Sequence, residues 1–432
     1  MKIAFKTFGC KANSLDTDSL FAEAVRRGHE IVDELQPADA YIINSCTVTH
    51  AADRDARLSA MRFKRQNPTG LVGVVGCYGQ VGKDEILGVG EVDVVLGTAN
   101  KHRVFEHLEQ AERGEQVARD QVEKTAGFLP AEFPGSRNSR ASVKIQDGCN
   151  FKCSFCIIPE ARGRSRSLDL ETVSRQVEQA YEQGFKEVVL TGIHLAHYGW
   201  DKGTDLMKLL RHLFAQKEGP RIRLSTLDPF ELPDELIALL TTEKRLCPHF
   251  HIALQSGSDE VLKGMRRIYK AEEFVTVTNK IRAVAPHAFI GVDVIVGFPG
   301  ETEAAFQETL DILNRSFWTK LHVFPFSVRR GTRAETLPDP VPSAVSRERS
   351  RILCALSDAK LAAFLESQVG SVHEVVLEKP SEKFPGLWQG HTANYLATLS
   401  ETGGAPSKGV IWSHVTGVRG ERLVTRPFPA SA

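Results

Sequence analysis

No stretch of this 432-residue chain is long and apolar enough to read as a membrane span; even 289–298 is interrupted by Asp293. The N-terminal Met-Lys-Ile-Ala-Phe-Lys-Thr-Phe-Gly-Cys lacks the apolar run of a secretory signal and reads as a strand. A cytoplasmic protein without a membrane partner is expected. Net charge is missing too, since 54 Lys and Arg balance 54 Asp and Glu. No global field draws in a polyanion, so a nucleic-acid surface has to be a local patch. What the chain does carry is eight cysteines. In a reducing compartment these serve as ligands or reactive thiols rather than as disulfides.

Three of them form the centre of the sequence, Cys149-Asn-Phe-Lys-Cys153-Ser-Phe-Cys156, a C-x3-C-x2-C run. Structural zinc usually takes four protein ligands as two separated pairs. Three thiolates on one short loop instead suit an Fe–S cluster with one iron left open to another molecule. Half a zinc site, or buried thiols that merely cluster, is the competing reading. The spacing, with Phe155 just before the third cysteine, resembles the radical S-adenosylmethionine (SAM) superfamily. The resemblance implies a [4Fe–4S] cluster that chelates SAM and cleaves it reductively to a 5′-deoxyadenosyl radical.

The first hundred residues alternate Val- and Ile-rich runs at 2–9, 40–45, 71–76 and 92–96 with helical patterns at 14–27 and 50–66. That order predicts a doubly wound parallel sheet. Cys10, Cys46 and Cys77 each follow directly on the end of a different expected strand. Ligands gather at the carboxyl ends of such strands, so the three thiols are expected to converge on a second Fe–S site. Three ordinary buried cysteines are the alternative. Phe8-Gly9-Cys10-Lys11-Ala12-Asn13-Ser14, Asn44-Ser45-Cys46-Thr47-Val48 and Gly76-Cys77-Tyr78-Gly79-Gln80 resemble the three blocks of the methylthiotransferases, a radical SAM subgroup. That resemblance implies two [4Fe–4S] clusters. It also implies two uses of SAM, one for the methyl group and one for the radical.

A closing helix at 101–114 leads into a polar linker over 115–140. Beyond it, strand-like runs at 141–146, 187–190, 221–225, 250–254, 290–296 and 320–324 alternate with helical patterns at 170–183, 206–215, 234–240, 271–284 and 303–313. Six such units predict a (β/α)6 partial barrel with its reactive groups at the strands' C-terminal ends. The cysteine loop falls there. So do Thr191-Gly192, Gln255-Ser256-Gly257-Ser258, Asp293 and Gly297-Phe298-Pro299-Gly300. Phe155, Gly192, Gln255, Ser256, Asp293, Gly297 and Pro299 are therefore the candidates for SAM binding. Glycine lets backbone approach a ligand, while Gln255 and Asp293 supply hydrogen bonds; simple turns are the alternative. Asp293 stands where the superfamily's G-x-I-x-G-x-x-E pattern has its first glycine, and Glu301 comes one residue late.

Arg162, Arg164 and Arg166, with Arg137, Arg140, Lys144 and Lys152, make the most basic stretch. Beside an active-site mouth, guanidinium forks suit phosphates, although a charge run is usually a solvated face. Ser343 to Val369 reads as one amphipathic helix, and strand-like runs at 373–378, 387–390, 395–399, 408–416 and 421–425 suggest a small barrel. This end resembles a TRAM domain, which implies RNA binding; a structural cap is the alternative. Cys247, before Pro248, and Cys354, on the helical stripe, read as structural.

The expected units are thus an N-terminal methylthiotransferase domain at 1–114, a radical SAM domain at 138–342 and a TRAM-like domain at 369–432. The resemblance implies a transferase that replaces C–H by C–S–CH3, with tRNA, an electron donor such as a flavodoxin or ferredoxin, and a sulfur donor as partners. Leu190-Thr-Gly-Ile-His-Leu-Ala-His-Tyr-Gly199, Cys247-Pro-His-Phe-His and Arg162-Gly-Arg-Ser-Arg-Ser resemble the branch acting on carbon 2 of N6-threonylcarbamoyladenosine at tRNA position 37. The other branches modify isopentenyladenosine in tRNA or an aspartate of a ribosomal protein. The threonyl carboxylate and hydroxyl would require a polar pocket, for which His194, His197 and the arginines are candidates. A two-cluster electron-transfer protein would leave the barrel without a purpose. A cobalamin-dependent methylase would need an Asp-x-His-x-x-Gly loop, and the chain has none.

Overall fold

The computed structural model describes residues 1–115, 133, 135, 139–402, 404 and 409–428. Most of the linker expected over 115–140, Arg137 included, and Lys408 at the start of the fourth expected C-terminal strand lie outside them.

The N-terminal sheet has five strands, β1 (Lys2–Thr7), β2 (Glu30–Val32), β3 (Ala40–Ser45), β4 (Leu71–Gly76) and β5 (Val94–Val95), in the order β2-β1-β3-β4-β5. Every pairing is parallel. Helices α1 (Lys11–Arg26) and α2 (His50–Gln66) cover it, and all six residues of β3 are buried, as a parallel strand covered on both faces requires. The sequence pattern did not indicate the short edge strand β2. It also ran β1 too far: the strand stops at Thr7, so Cys10 is the N-cap of α1 rather than the residue after a strand. Cys46 follows β3 directly, and Cys77 opens the short helix α3 (Cys77–Val81) directly after β4.

In the central region β6 (Ala141–Lys144) leads into the two-residue strand β7 (Gln146–Asp147), which pairs antiparallel with β8 (Arg166–Ser167) and so closes the cysteine loop. The remaining strands are β9 (Glu187–Thr191), β10 (Arg221–Leu224), β11 (Thr226–Leu227), β12 (His249–Gln255), β13 (Phe289–Val296) and β14 (Lys320–Pro325). They form two parallel sheets, β10-β9-β6 and β11-β12-β13-β14, which divide at Ser225 within what reads as one strand. The result is an open six-unit barrel bounded by β6 and β14. Its main core includes Val143, Val188, Leu190, Ile222, Ile252 and Val292.

Helix Ser343–Glu366 buries Leu353, Leu361 and Leu365, whereas Cys354 is exposed, which corrects its placement on the packing stripe. Leu361 and Leu365 pack with Phe289, Leu396, Val415 and Leu423, joining the central barrel to the C-terminal one. That second barrel is closed in the order β15-β16-β17-β19-β18, from β15 (Val372–Pro380), β16 (Trp388–Thr392), β17 (Ala397–Ser400), β18 (Val410–Arg419) and β19 (Arg422–Pro427). Tyr395, expected in a strand, lies instead in the β16–β17 connection at φ +69°.

Candidate active site

The N-terminal thiols are drawn together by backbone that only glycine tolerates. Gly9 has φ +97°, and a Cβ there would sit 2.6 Å from Cys46 Sγ. Asn13 braces the same corner: its Nδ2 donates to the carbonyls of Phe8 at 2.6 Å and Ser45 at 3.1 Å, tying the Cys10 loop to the Cys46 strand end. Burial pushes the Cys46 thiol up to about 11 and raises Cys77 as well. Buried thiols of this kind become ligands only when a metal supplies the compensating charge. Three soft sulfur donors at one sheet edge fit an Fe–S cluster.

The Cys149–Cys156 loop hangs from the end of β7. Gly148 has φ +74°, and a Cβ there would strike the Arg164 carbonyl oxygen at 2.2 Å. Ser154 N donates to the Met265 carbonyl at 3.0 Å, and Ala334 N donates to the Ser154 carbonyl at 2.7 Å, so the tip of the loop is pinned from two sides. Arg267 Nη1 donates to Cys153 Sγ at 3.3 Å, while its other arm meets Asp228. Cys149 Sγ lies 3.7 Å from His194 Nδ1, whose Nε2 faces Glu231 Oε1 at 2.6 Å. Burial opposes the charge on His194, but its bonds to Cys149 and Glu231 raise its pKa to about 9. Burial likewise opposes ionisation of Glu231, yet His194 and His197 bring its carboxyl down to about 2. Burial pushes Cys156 up to about 12. Three thiols on this pinned loop again suit a cluster with three protein ligands.

Cys149, Cys153 and Cys156 line one cavity of about 510 Å³, and Cys10 lines it too. That volume lies in the range of small-molecule sites, about 300–1,000 Å³. Of the SAM-binding candidates, Phe155, Gly192, Gln255 and Asp293 are on its wall. Gln255 sits at a register shift in β12 with φ +62°, an uncommon conformation for a residue of its kind, and Asp293 Oδ1 lies 2.7 Å from His251 Nε2. Ser256, Gly297 and Pro299 do not line the cavity. Ser256 is buried 3.5 Å from the Thr309 hydroxyl. Gly297 packs against Ser346 of the long helix, and its N–H donates to Glu301 at 2.6 Å. That bond gives Glu301 a structural place behind the wall.

The arginine triplet does not act as one rim. Arg162 is buried; its guanidinium donates to Asp147 Oδ1 at 3.0 Å, to Asp16 Oδ2 at 3.2 Å and to Asn13 Oδ1 at 3.2 Å. Lys144 bonds Asp16 at 2.6 Å, and Lys101 bonds it at 2.5 Å. Arg162 and Lys144 therefore clamp the N-terminal sheet to the barrel and leave no group for phosphate, which corrects their reading as substrate contacts. Arg166 is half-buried, held by the Arg162 carbonyl at 2.8 Å and Asp147 at 3.3 Å. Arg164 alone of the three is exposed.

His194 lines the cavity, but His197 does not. His197 is stacked between His194 at 3.8 Å and Trp200 at 3.6 Å and is 1% exposed. His194, His197 and Glu231 place ligand-type atoms within 4.8 Å of one another. Their imidazoles lie face to face at 15°, and Glu231 already contacts both Nε2 atoms. Within the group, His194 is hydrogen-bonded to Glu231 and stacked on His197.

Several wall residues had no sequence signal. Arg267, Asp228 and Tyr395 come from different units and meet only in the folded chain, where they join His251 of the Cys247-Pro-His-Phe-His stretch. Gln146 lies behind the wall: its Oε1 accepts from His194 N at 2.8 Å and its Nε2 donates to the Gly148 carbonyl at 2.7 Å, coupling the β9 end to the cysteine loop.

Comparison with known proteins agrees with this construction. Residues 143–313 match the model of the radical SAM superfamily, and residues 2–97 match that of the uncharacterized protein family UPF0004. The threonylcarbamoyladenosine tRNA methylthiotransferase MtaB of Aquifex aeolicus is 41% identical, over 88% of this chain and 93% of that protein. Its namesake from Bacillus subtilis is 39% identical over 92% and 90%. A tRNA-2-methylthio-N(6)-dimethylallyladenosine synthase of Methylacidiphilum infernorum is 33% identical over 92% and 88%. Among solved structures, the radical SAM methyltransferase TsrM of Kitasatospora setae, with tryptophan substrate and a SAM analogue bound, superposes with a TM-score of 0.57 at 15% identity. It covers 75% of this chain and 72% of its own, a likeness of fold.

Proposed function

The chain belongs to the methylthiotransferase family of the radical SAM superfamily, and from that membership we propose that it replaces the hydrogen on carbon 2 of N6-threonylcarbamoyladenosine, at position 37 of tRNA, by a methylthio group. One observation carries the chemistry: the three thiols of the central loop and Cys10 of the N-terminal sheet open onto the same cavity. Generating a radical and inserting sulfur need two sites that face one substrate atom.

We assign residues 1–114 to the auxiliary-cluster domain, 138–342 to the radical SAM domain and 369–432 to an RNA-binding barrel. Cys149, Cys153 and Cys156 would hold one [4Fe–4S] cluster, and Cys10, Cys46 and Cys77 a second. Bound there with SAM, these groups supply a primary carbon radical and a methylated sulfur, the reactivity that an unactivated C–H bond requires. The chain's own residues position and shield. Phe155 and Gly192 shape the wall for the nucleoside, and Gln255 and Asp293 offer it hydrogen bonds. The Arg267 guanidinium, held by Asp228, neutralises charge at Cys153.

The reduction that starts the reaction needs an electron donor of the flavodoxin or ferredoxin class, and repeated turnover needs a sulfur donor. Arg164, exposed to solvent, would be free to meet tRNA phosphate. No helix among the described residues is long and apolar enough to cross a membrane.

The test is turnover on anticodon stem-loops carrying threonylcarbamoyladenosine or isopentenyladenosine, with SAM, reductant and sulfide. Mass spectrometry should find the methylthio group on the first. Reaction of the isopentenyl substrate alone overturns the substrate and leaves the chemistry standing.

A further inference from the structure

With the arginine triplet absent from the cavity wall, the threonyl carboxylate needs another counter-charge. Besides its histidines, the cavity is lined by two cations, Arg267 and Lys11. Arg267 is already engaged, by Asp228 and by Cys153 Sγ at 3.3 Å. Lys11 is not. It begins α1 one residue after Cys10, and its side chain is exposed on the cavity wall. Among the described residues it has no ion pair or hydrogen bond to a carboxylate. Its Nζ lies 5.5 Å from the centre of the Tyr395 ring.

The surroundings explain why that ammonium is left over. Tyr395 reaches into the cavity from the C-terminal barrel, and its ring is also faced by Arg140 at 5.2 Å and Arg223 at 4.8 Å. The guanidiniums here consume the nearby carboxylates. Arg221 and Arg223 each bond Glu187 at 2.7 Å, Arg140 bonds Glu378 at 3.2 Å, and Arg221 also lies 3.9 Å from Glu374. Four cations therefore meet three carboxylates, and the unmatched charge is the one on the cavity wall.

We propose that Lys11 determines substrate specificity: its ammonium receives the carboxylate of the threonylcarbamoyl group, steadied over the Tyr395 ring. This rests on the functional reading given above. In adenine, carbon 2 and the N6 substituent share the Watson–Crick edge. An anchor for the N6 group on the residue next to Cys10 therefore directs that edge to the sulfur-bearing side of the site. An isopentenyl group has nothing to offer an ammonium. An isopentenyl group in this cavity would cover the ammonium without pairing it, so this lysine selects against the isopentenyl substrate as well as for the threonyl one.

The experiment measures equilibrium binding and kcat/KM with the cluster-loaded enzyme. It compares stem-loops bearing threonylcarbamoyladenosine, its methyl ester and unmodified adenosine. The ester keeps the size and removes the charge. The wild-type protein should prefer the acid to the ester by about tenfold to hundredfold, the usual range for a charge-assisted contact in such a site. Lys11→Met should bring acid and ester to within about twofold of one another, and Lys11→Arg should keep the acid preference. Equal use of acid and ester by the wild type overturns the assignment whatever the variants do, as does a Lys11→Met protein that keeps the preference. A wild-type enzyme that binds the acid but never methylthiolates it overturns the functional reading instead.

Discussion

Arg162 and Asp16, 146 residues apart in the chain, meet as a buried ion pair with Nη2 and Oδ2 3.2 Å apart. Asp147, Lys144 and Lys101 complete the cluster. Through it, α1, which begins beside Cys10, is fixed to the short helix Ile158–Arg162 that follows Cys156. The two thiol sites are held in register by buried charge.

Removing one partner from such a cluster leaves an uncompensated buried charge. Arg162→Met should therefore lower unfolding stability by about 3–5 kcal/mol, read from the shift of the denaturant midpoint. A loss of under about 1 kcal/mol would return Arg162 to the solvated rim.

Gly9→Ala tests the first thiol site. Its Cβ would lie 2.6 Å from Cys46 Sγ, whereas Gly28, also at positive φ, has nothing within 4 Å. Reconstituted wild-type protein should hold about eight irons, Gly9→Ala about four and Gly28→Ala the full complement. Both variants carry backbone strain of about 1–2 kcal/mol, so only the clash distinguishes them. Equal iron in the two variants would remove the Gly9 argument.

Arg164 is the exposed member of the triplet. Arg164→Gln should flatten the slope of log Kd against log salt for tRNA by about 0.7–0.9, one phosphate contact. The same substitution at Arg166 should change it less. An unchanged slope with Arg164→Gln would make this arginine an ordinary solvated side chain.

Acid stability follows from the buried carboxylates. Burial opposes ionisation of Asp16, Asp147 and Glu187, but the surrounding lysines and arginines hold all three well below the usual carboxylate range. Folded values depressed in this way add stability that is fully present above the unfolded pKa of about 4 and is lost as pH falls through the folded values. The denaturant midpoint of the wild type minus that of Glu187→Gln should therefore stay constant from pH 7 to about 5 and shrink below about 4. Taking the difference cancels cluster loss common to both proteins. A difference that shrinks already between pH 7 and 5 would contradict the assignment.

The sequence alone determined the parts whose signal is local. Cys149, Cys153 and Cys156 sit within eight residues of one another, and alternation of period 2 and 3.6 placed β3, α2 and helix Ala271–Val284 where the structure has them. Cys46 and Cys77 were legible because buried parallel strands end visibly. Only the tertiary structure decided what each charge does. Arg162 and Arg164 are two residues apart and look alike in sequence. Yet Gly163, at φ +76°, turns the chain between them, and one guanidinium goes into the domain interface while the other faces solvent. Part of the cavity wall was hidden for the same reason, although Phe155, Gly192, Gln255 and Asp293 were legible from their places beside the cysteine loop and the strand ends. Lys11, Arg267 and Tyr395 come from the N-terminal domain, the barrel and the C-terminal domain. Nothing in the spacing of residues hundreds apart encodes their meeting, because long-range packing, not local periodicity, sets which side chains share a cavity.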